Sequence, residues 1–225
     1  MKTGWILFVA LLAGCSSDPS TGTGSQTGNS IVAGRIAVTD SSPAGTTVYL
    51  RPLAWTPSQA VDSNYLRTTT TDSNGDYVFR DVPVDTYRIE ARQHTKGWSK
   101  TVSTMPALVT TAPLGTLVPV GRLVGEIERS DTLTGAVVEL YGLNRSFRIP
   151  ADWVCPLPPD EPGETNDCTF AFDSLPVGLQ TVRIWSTKTN SVICDLPIRI
   201  GADSVSKVEY EQWGREVHGP REDDR

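Results

Sequence analysis

From residue 31 onward the chain is a succession of short runs in which apolar and polar residues alternate, broken by Gly, Pro, Asn or Asp. No stretch sustains a 3.6-residue apolar period between helix caps. A period of two interrupted by turn residues predicts antiparallel strands packed as a sandwich or barrel. In Tyr77-Val78-Phe79-Arg80 the alternation sends Tyr77 and Phe79 to the core and Val78 and Arg80 to solvent. Tyr87, Ile89 and Ala91 continue the inward set. Asn74-Gly75, between 68–71 and 77–79, predicts a type I′ hairpin. The next turn is expected to end at Asp85, a residue type that tolerates a left-handed backbone.

The pattern occurs twice. Gly34-Arg-Ile-Ala-Val and Gly45-Thr-Thr-Val-Tyr-Leu50 have counterparts in Gly125-Glu-Ile-Glu-Arg and Gly135-Ala-Val-Val-Glu-Leu140. Tyr77-Val-Phe79-Arg-Asp-Val82-Pro83-Val84 matches Phe170-Ala-Phe172-Asp-Ser-Leu175-Pro176-Val177. Ile89 and Ala91 match Val182 and Ile184, and Gln180 stands where Tyr87 would be. The offset is 90 to 93 residues throughout. Several segments in the same order at a nearly constant offset indicate two copies of one unit.

Each unit resembles the carboxypeptidase regulatory-like domain, a relative of Cna B-type repeats and of the prealbumin (transthyretin-like) sandwich. The resemblance rests on Gly75, Tyr77, Phe79, Val82, Pro83, Tyr87 and Ile89 in the first copy. In the second it rests on Phe170, Phe172, Leu175, Pro176, Gly178 and Val182. The first copy departs from the pattern at Asp85, the second at Cys168 and Gln180. The resemblance implies an all-β chain of two tandem antiparallel β-sandwiches, over 31–118 and 119–213. It also implies non-catalytic spacer, stalk or binding units. Some Cna B-type relatives carry a Lys–Asn crosslink, but the strands beginning at Gly34 and Gly125 contain no Lys. Pro106, Pro113 and Pro119 lie between the copies and are expected to fix their relative orientation.

The N-terminus has a different logic. Lys2 precedes an apolar run from Trp5 to Ala13, about half the ~20 residues that span a bilayer. It reads as a cleaved signal peptide over 1–14. Leu12-Ala13-Gly14-Cys15 resembles the lipobox of bacterial lipoproteins, which implies lipidation of Cys15 and a membrane anchor. Two acyl chains hold a protein stably where one does not. Ser16 favours the outer membrane over the inner. Residues 15–30 are a Ser/Thr/Gly-rich tether that reaches roughly 20 Å as a flexible coil. Residues 214–225 form a charged, frayed tail.

Composition narrows the chemistry. A net charge of −6 without a basic block gives no footprint for nucleic acid. The chain has four cysteines, and with Cys15 acylated three remain, so at most one disulfide forms. Cys155 and Cys168 bracket an acidic, Pro-rich loop and are the favoured pair, with Cys168 and Cys194 the next choice. His94 and His218 are the only histidines, so neither a zinc site nor a Ser-His-Asp triad is expected. No cofactor or metal is assigned. Asp72-Ser-Asn74-Gly-Asp76 superficially matches a calcium loop, but Tyr77 occupies the position that needs Gly. Asp160, Glu161, Glu164 and Asp167 read as a solvated loop.

The surface candidates are aromatic. Trp55 and Tyr65 lie in the segment after Leu50, and Trp153 in the segment after Leu140. Such rings stack on sugars or fold back as lids over their own sandwiches. The chain thus reads as a non-catalytic envelope lipoprotein acting as a binding or spacer module. The alternatives are a surface carbohydrate-binding lipoprotein and a subunit of a larger envelope complex. Polysaccharide and envelope proteins are the candidate partners beside the membrane.

Overall fold

A computed structural model describes residues 30–55, 66–127, 132–152 and 168–208. Cys15, Tyr65, Trp153, Cys155, Trp213, the signal peptide, most of the tether, the acidic loop and the tail lie outside the described residues. The described chain is all-β. No helix among the described residues is long and apolar enough to cross a membrane.

The first sandwich pairs two sheets. In one, β1 (Ser30–Ala37) runs antiparallel to β4 (Asp76–Val82) and parallel to β7 (Val109–Thr111) and β8 (Gly115–Thr116). The other has β2 (Thr47–Pro52), β3 (Arg67–Thr70), β5 (Thr86–Gln93), β6 (Lys96–Ser103) and β9 (Val118–Pro119), in the order β3-β2-β5-β6-β9. The second sandwich repeats the plan. One sheet is β13 (Cys168–Leu175), β10 (Gly121–Ile127) and β16 (Val205–Val208), with β10 and β16 parallel. The other has β11 (Val137–Leu140), β12 (Ser146–Arg148), β14 (Gly178–Ser186) and β15 (Ser191–Ile200), in the order β12-β11-β14-β15. Strand for strand, β1–β7 correspond to β10–β16, while β8 and β9 belong to the first sandwich alone.

Two separate cores hold these layers. The first contains Val48, Leu50, Tyr77, Phe79, Tyr87, Ile89 and Ala91, the second Val138, Leu140, Phe170, Phe172, Val182 and Ile184. The inward positions read from the alternation are buried, and Val78 is exposed. Burying side chains of this size stabilises by roughly 1.5–3 kcal/mol each.

The repeat also explains single residues. Gly34 sits opposite Tyr77 and Gly125 opposite Phe170, and in each pair the ring lies across the glycine. A Cβ on Gly34 would come within 2.4 Å of the Tyr77 hydroxyl, and one on Gly125 within 2.2 Å of Phe170 Cζ. Gln180 replaces Tyr87 without losing its tether. Tyr87 Oη donates to the Pro83 carbonyl at 3.0 Å, and Gln180 Nε2 donates to the Pro176 carbonyl at 3.1 Å.

Two local expectations fail. Asn74-Gly75 is not a hairpin turn, because β3 and β4 belong to different sheets. The segment is an arch between the layers. Asp72 Oδ1 accepts from the Asn74 and Asp76 amides, and only Gly75 has positive φ. A side-chain cap on a turn mimics the local signal of a hairpin. The left-handed residue is likewise not Asp85 but Asp81, with φ of 55°, matched by Ser174 with φ of 58°. Both sit at bulges where β4 and β13 slip against β1 and β10. Gly178, at the start of β14, also has positive φ.

Candidate functional site at the junction of the two sandwiches

The join is a single residue. Val120 alone separates β9 from β10, its amide donates to the Thr95 carbonyl, and its carbonyl accepts from the Asp203 amide. One residue is thus bonded to both sandwiches, through its amide to the first and its carbonyl to the second. Of the three prolines between the copies, only Pro119 lies at this join. Pro106 and Pro113 lie in the segment that carries β7 back beside β1.

Alternation places Tyr49 and Arg51 of β2, and Arg88, Glu90 and Arg92 of β5, on the outward face of the first sandwich. The 141–145 turn of the second sandwich lies against this face. A Cβ on Gly142 would touch Leu53 Cδ1 at 2.9 Å and Arg88 Cβ at 3.4 Å. Arg51 and Glu90 are therefore interior, at 3% and 1% exposure. Arg51 Nη1 donates to Glu90 Oε2 at 2.5 Å, and Arg92 Nε donates to Glu90 Oε1. The Arg51 guanidinium also lies 4.6 Å from the centre of the Tyr49 ring.

Positive charge exceeds negative here. Among the described residues Arg88 makes no side-chain hydrogen bond or ion pair, and burial pushes its guanidinium below the ordinary arginine range. Arg145 approaches from the second sandwich. Burial, and then repulsion by Arg92, lower its pKa as well. Its hydrogen bonds go to the backbone carbonyls of Asn144 and Asp173 rather than to a carboxylate. Its counterpart in the first sandwich, Arg67, similarly holds the Arg80 and Asp81 carbonyls at the bulge. Among the described residues four guanidinium groups thus share the one carboxylate of Glu90, and Arg51 Nε, Arg88 Nε and Arg92 Nη2 are buried donors with no acceptor.

Beside this cluster the sandwiches enclose a cleft of about 310 Å3. Arg88, Ser99, Lys100 and Thr101 form one wall, and Val177, Gly178, Leu179 and Gln180 the other. Ser99 and Thr101 sit opposite Glu90 and Arg88 across the β5–β6 pair, so their side chains share the outward face. Lys100 alternates to the other face.

The second sandwich carries the same residue types in permuted positions. Glu139 and Tyr141 on β11 and its turn, with Arg183 on β14, occupy the places of Tyr49, Arg51 and Glu90. The Arg183 guanidinium lies 3.8 Å from the centre of the Tyr141 ring and makes a bidentate pair with Asp195. Glu139 has neither carboxylate oxygen bonded and is 1% exposed. Burial raises its pKa to about 7, against the opposing pull of Arg183.

Trp55 is half-buried just after β2, its amide bonded to the Pro52 carbonyl. Trp153 follows β12 rather than β11, so Trp55 and Trp153 leave their sandwiches at different connections. Cys168 is disulfide-bonded, and Cys194 is buried. No group of three or more His, Cys, Asp or Glu among the described residues is placed to hold a metal ion. The junction cluster escaped sequence reasoning because its members come from β2, β5 and a distant turn. The available signal was the run Arg88-x-Glu90-x-Arg92, charged at every position that alternation sends outward.

No family model and no curated protein matches the chain. Among solved structures it is similar to a candidate carbohydrate-binding protein of Pseudomonas aeruginosa, at 21% identity over 40% of this chain and 90% of that one, with a TM-score of 0.30. It is similar to a streptococcal ancillary pilin at 15% identity, over 82% of this chain and 63% of that one, with a TM-score of 0.31. It is also similar to a minor pilin of Streptococcus agalactiae at 14% identity, over 80% of this chain and 93% of that one, with a TM-score of 0.27.

Proposed function

We propose that the chain is a non-catalytic envelope lipoprotein whose two regulatory-like β-sandwiches, over 31–118 and 119–213, act as one stiff binding and spacing module. The observation that carries this reading is the junction. A one-residue connection bonded to both sides, with buried charge sealed between the sandwiches, leaves little room for a hinge. Separating the halves would expose Glu90 and its arginines and break the contact of the 141–145 turn. Cys15 supplies the acyl anchor, residues 16–30 the stand-off from the bilayer, and the outer membrane is the proposed location. Cys155 is the proposed partner of Cys168, closing the acidic loop.

Detergent phase separation of cells expressing the full chain tests the anchor. The protein should partition into the detergent phase and incorporate labelled palmitate, and Cys15→Ser should abolish both. Palmitate-free, water-phase protein from the unaltered chain would overturn the lipoprotein reading.

A further inference from the structure

We propose that the junction cleft is a binding site for a carboxylate-bearing saccharide, a uronate-type sugar, with Arg88 as its anion-binding residue. The inference rests on the binding-module reading above and names a ligand class and residues for it. In a chain of net charge −6, four arginines converge on one glutamate at this seam. Buried charge is ordinarily paired. Glu90 spends both oxygens on Arg51 and Arg92, so Arg88 has no counter-ion among the described residues. Hydrogen bonding carries the same message at the one arginine that lines the cleft: among the described residues Arg88 Nε is a buried donor with no acceptor. An anion entering the cleft supplies what is missing. A guanidinium fork suits a planar carboxylate, held by two parallel hydrogen bonds.

The rest of the cleft argues for a sugar around that carboxylate. Ser99 and Thr101 place hydroxyls beside Arg88, matching ring hydroxyls. Across from them Val177 and Leu179 offer an apolar wall, with Leu179 63% exposed, suited to the C–H face of a pyranose. A volume of about 310 Å3 lies at the small end of the roughly 300–1,000 Å3 of ligand sites. That suits a short oligosaccharide segment rather than a large cofactor.

The test is calorimetric titration of the full lipoprotein in neutral detergent micelles with tri-galacturonate. Neutral galactotriose and inorganic phosphate serve as comparisons. Tri-galacturonate should bind and neutral galactotriose should not, with affinity falling as salt rises. Arg88→Gln should weaken binding by about tenfold or more, as expected for loss of a hydrogen bond to a charged group. Because Arg88 also packs against the 141–145 turn, Thr101→Glu gives a second reading. It places a competing carboxylate at an exposed position and should abolish binding with the melting temperature unchanged. Trp55→Ala and Trp153→Ala should bind as the unaltered protein does. Equal binding of galactotriose, a preference for phosphate, or full affinity in both Arg88→Gln and Thr101→Glu would overturn the proposal. Failure here with palmitate incorporation intact would remove this ligand and leave the spacer reading standing.

Discussion

Glu139 and Glu90 show how position decides what a buried carboxylate does. Glu90 is neutralised on both oxygens. Removing one partner of such a buried pair costs about 3–5 kcal/mol. Glu90→Ala should therefore lower the urea-unfolding free energy by roughly 3 kcal/mol. Asp76→Ala, which breaks the exposed, solvent-screened pair with Arg35, should change it far less. Glu139 has no such neutralisation, and its pKa rises to about 7 from an ordinary 4.5. Below pH 4.5 both folded and unfolded chains hold the proton. Between there and pH 7 the unfolded chain releases it and the folded chain keeps it, so stability falls as pH rises. The total is on the order of 3 kcal/mol. Unfolding curves across pH 4 to 8 should show this decline in the unaltered protein and a flatter profile in Glu139→Gln. Tyr77 carries a smaller burden, a buried hydroxyl with no partner. The second sandwich already has Phe170 in that place, so Tyr77→Phe should stabilise by about 1 kcal/mol in the same assay.

At the level of elements, the repeat was legible because strand alternation and glycine-to-aromatic spacing survive divergence. Gly34 with Tyr77 and Gly125 with Phe170 pair across strands β1–β4 and β10–β13, as a constant offset implies. Gln180 in place of Tyr87 looked like a departure from the family pattern. It preserves the hydrogen bond to a proline carbonyl four residues upstream, which no composition argument reveals. Tyr87→Phe and Gln180→Leu should each cost about 1 kcal/mol, measurable by chemical denaturation. Connections were harder to read than strands. A capped turn at Asp72 and a hairpin share the same Asp, Asn and Gly, and only the pairing of the flanking strands separates them. The long insertions were harder still. The first sandwich places its insertion after β2 and the second after β12, so the segments that follow Leu50 and Leu140 are not equivalent.

Across the whole molecule, two ordinary sandwiches become a single object through their seam. Sequence showed two units and a proline-bearing segment between them. It did not show that Val120 bonds both sides through its amide and its carbonyl, or that Arg145 reaches the first sandwich, because both depend on how the units dock. The same docking confines arginines around one glutamate and forms the proposed anion cleft. If the seam loosened, the burial of Glu90 and the cleft would disappear together. The most direct test is measurement of amide residual dipolar couplings over both sandwiches of the isotopically labelled protein in one alignment medium. The account predicts that a single alignment tensor fits residues 30–119 and 121–208 together. Two tensors of different magnitude or orientation would show independently moving units and would contradict it.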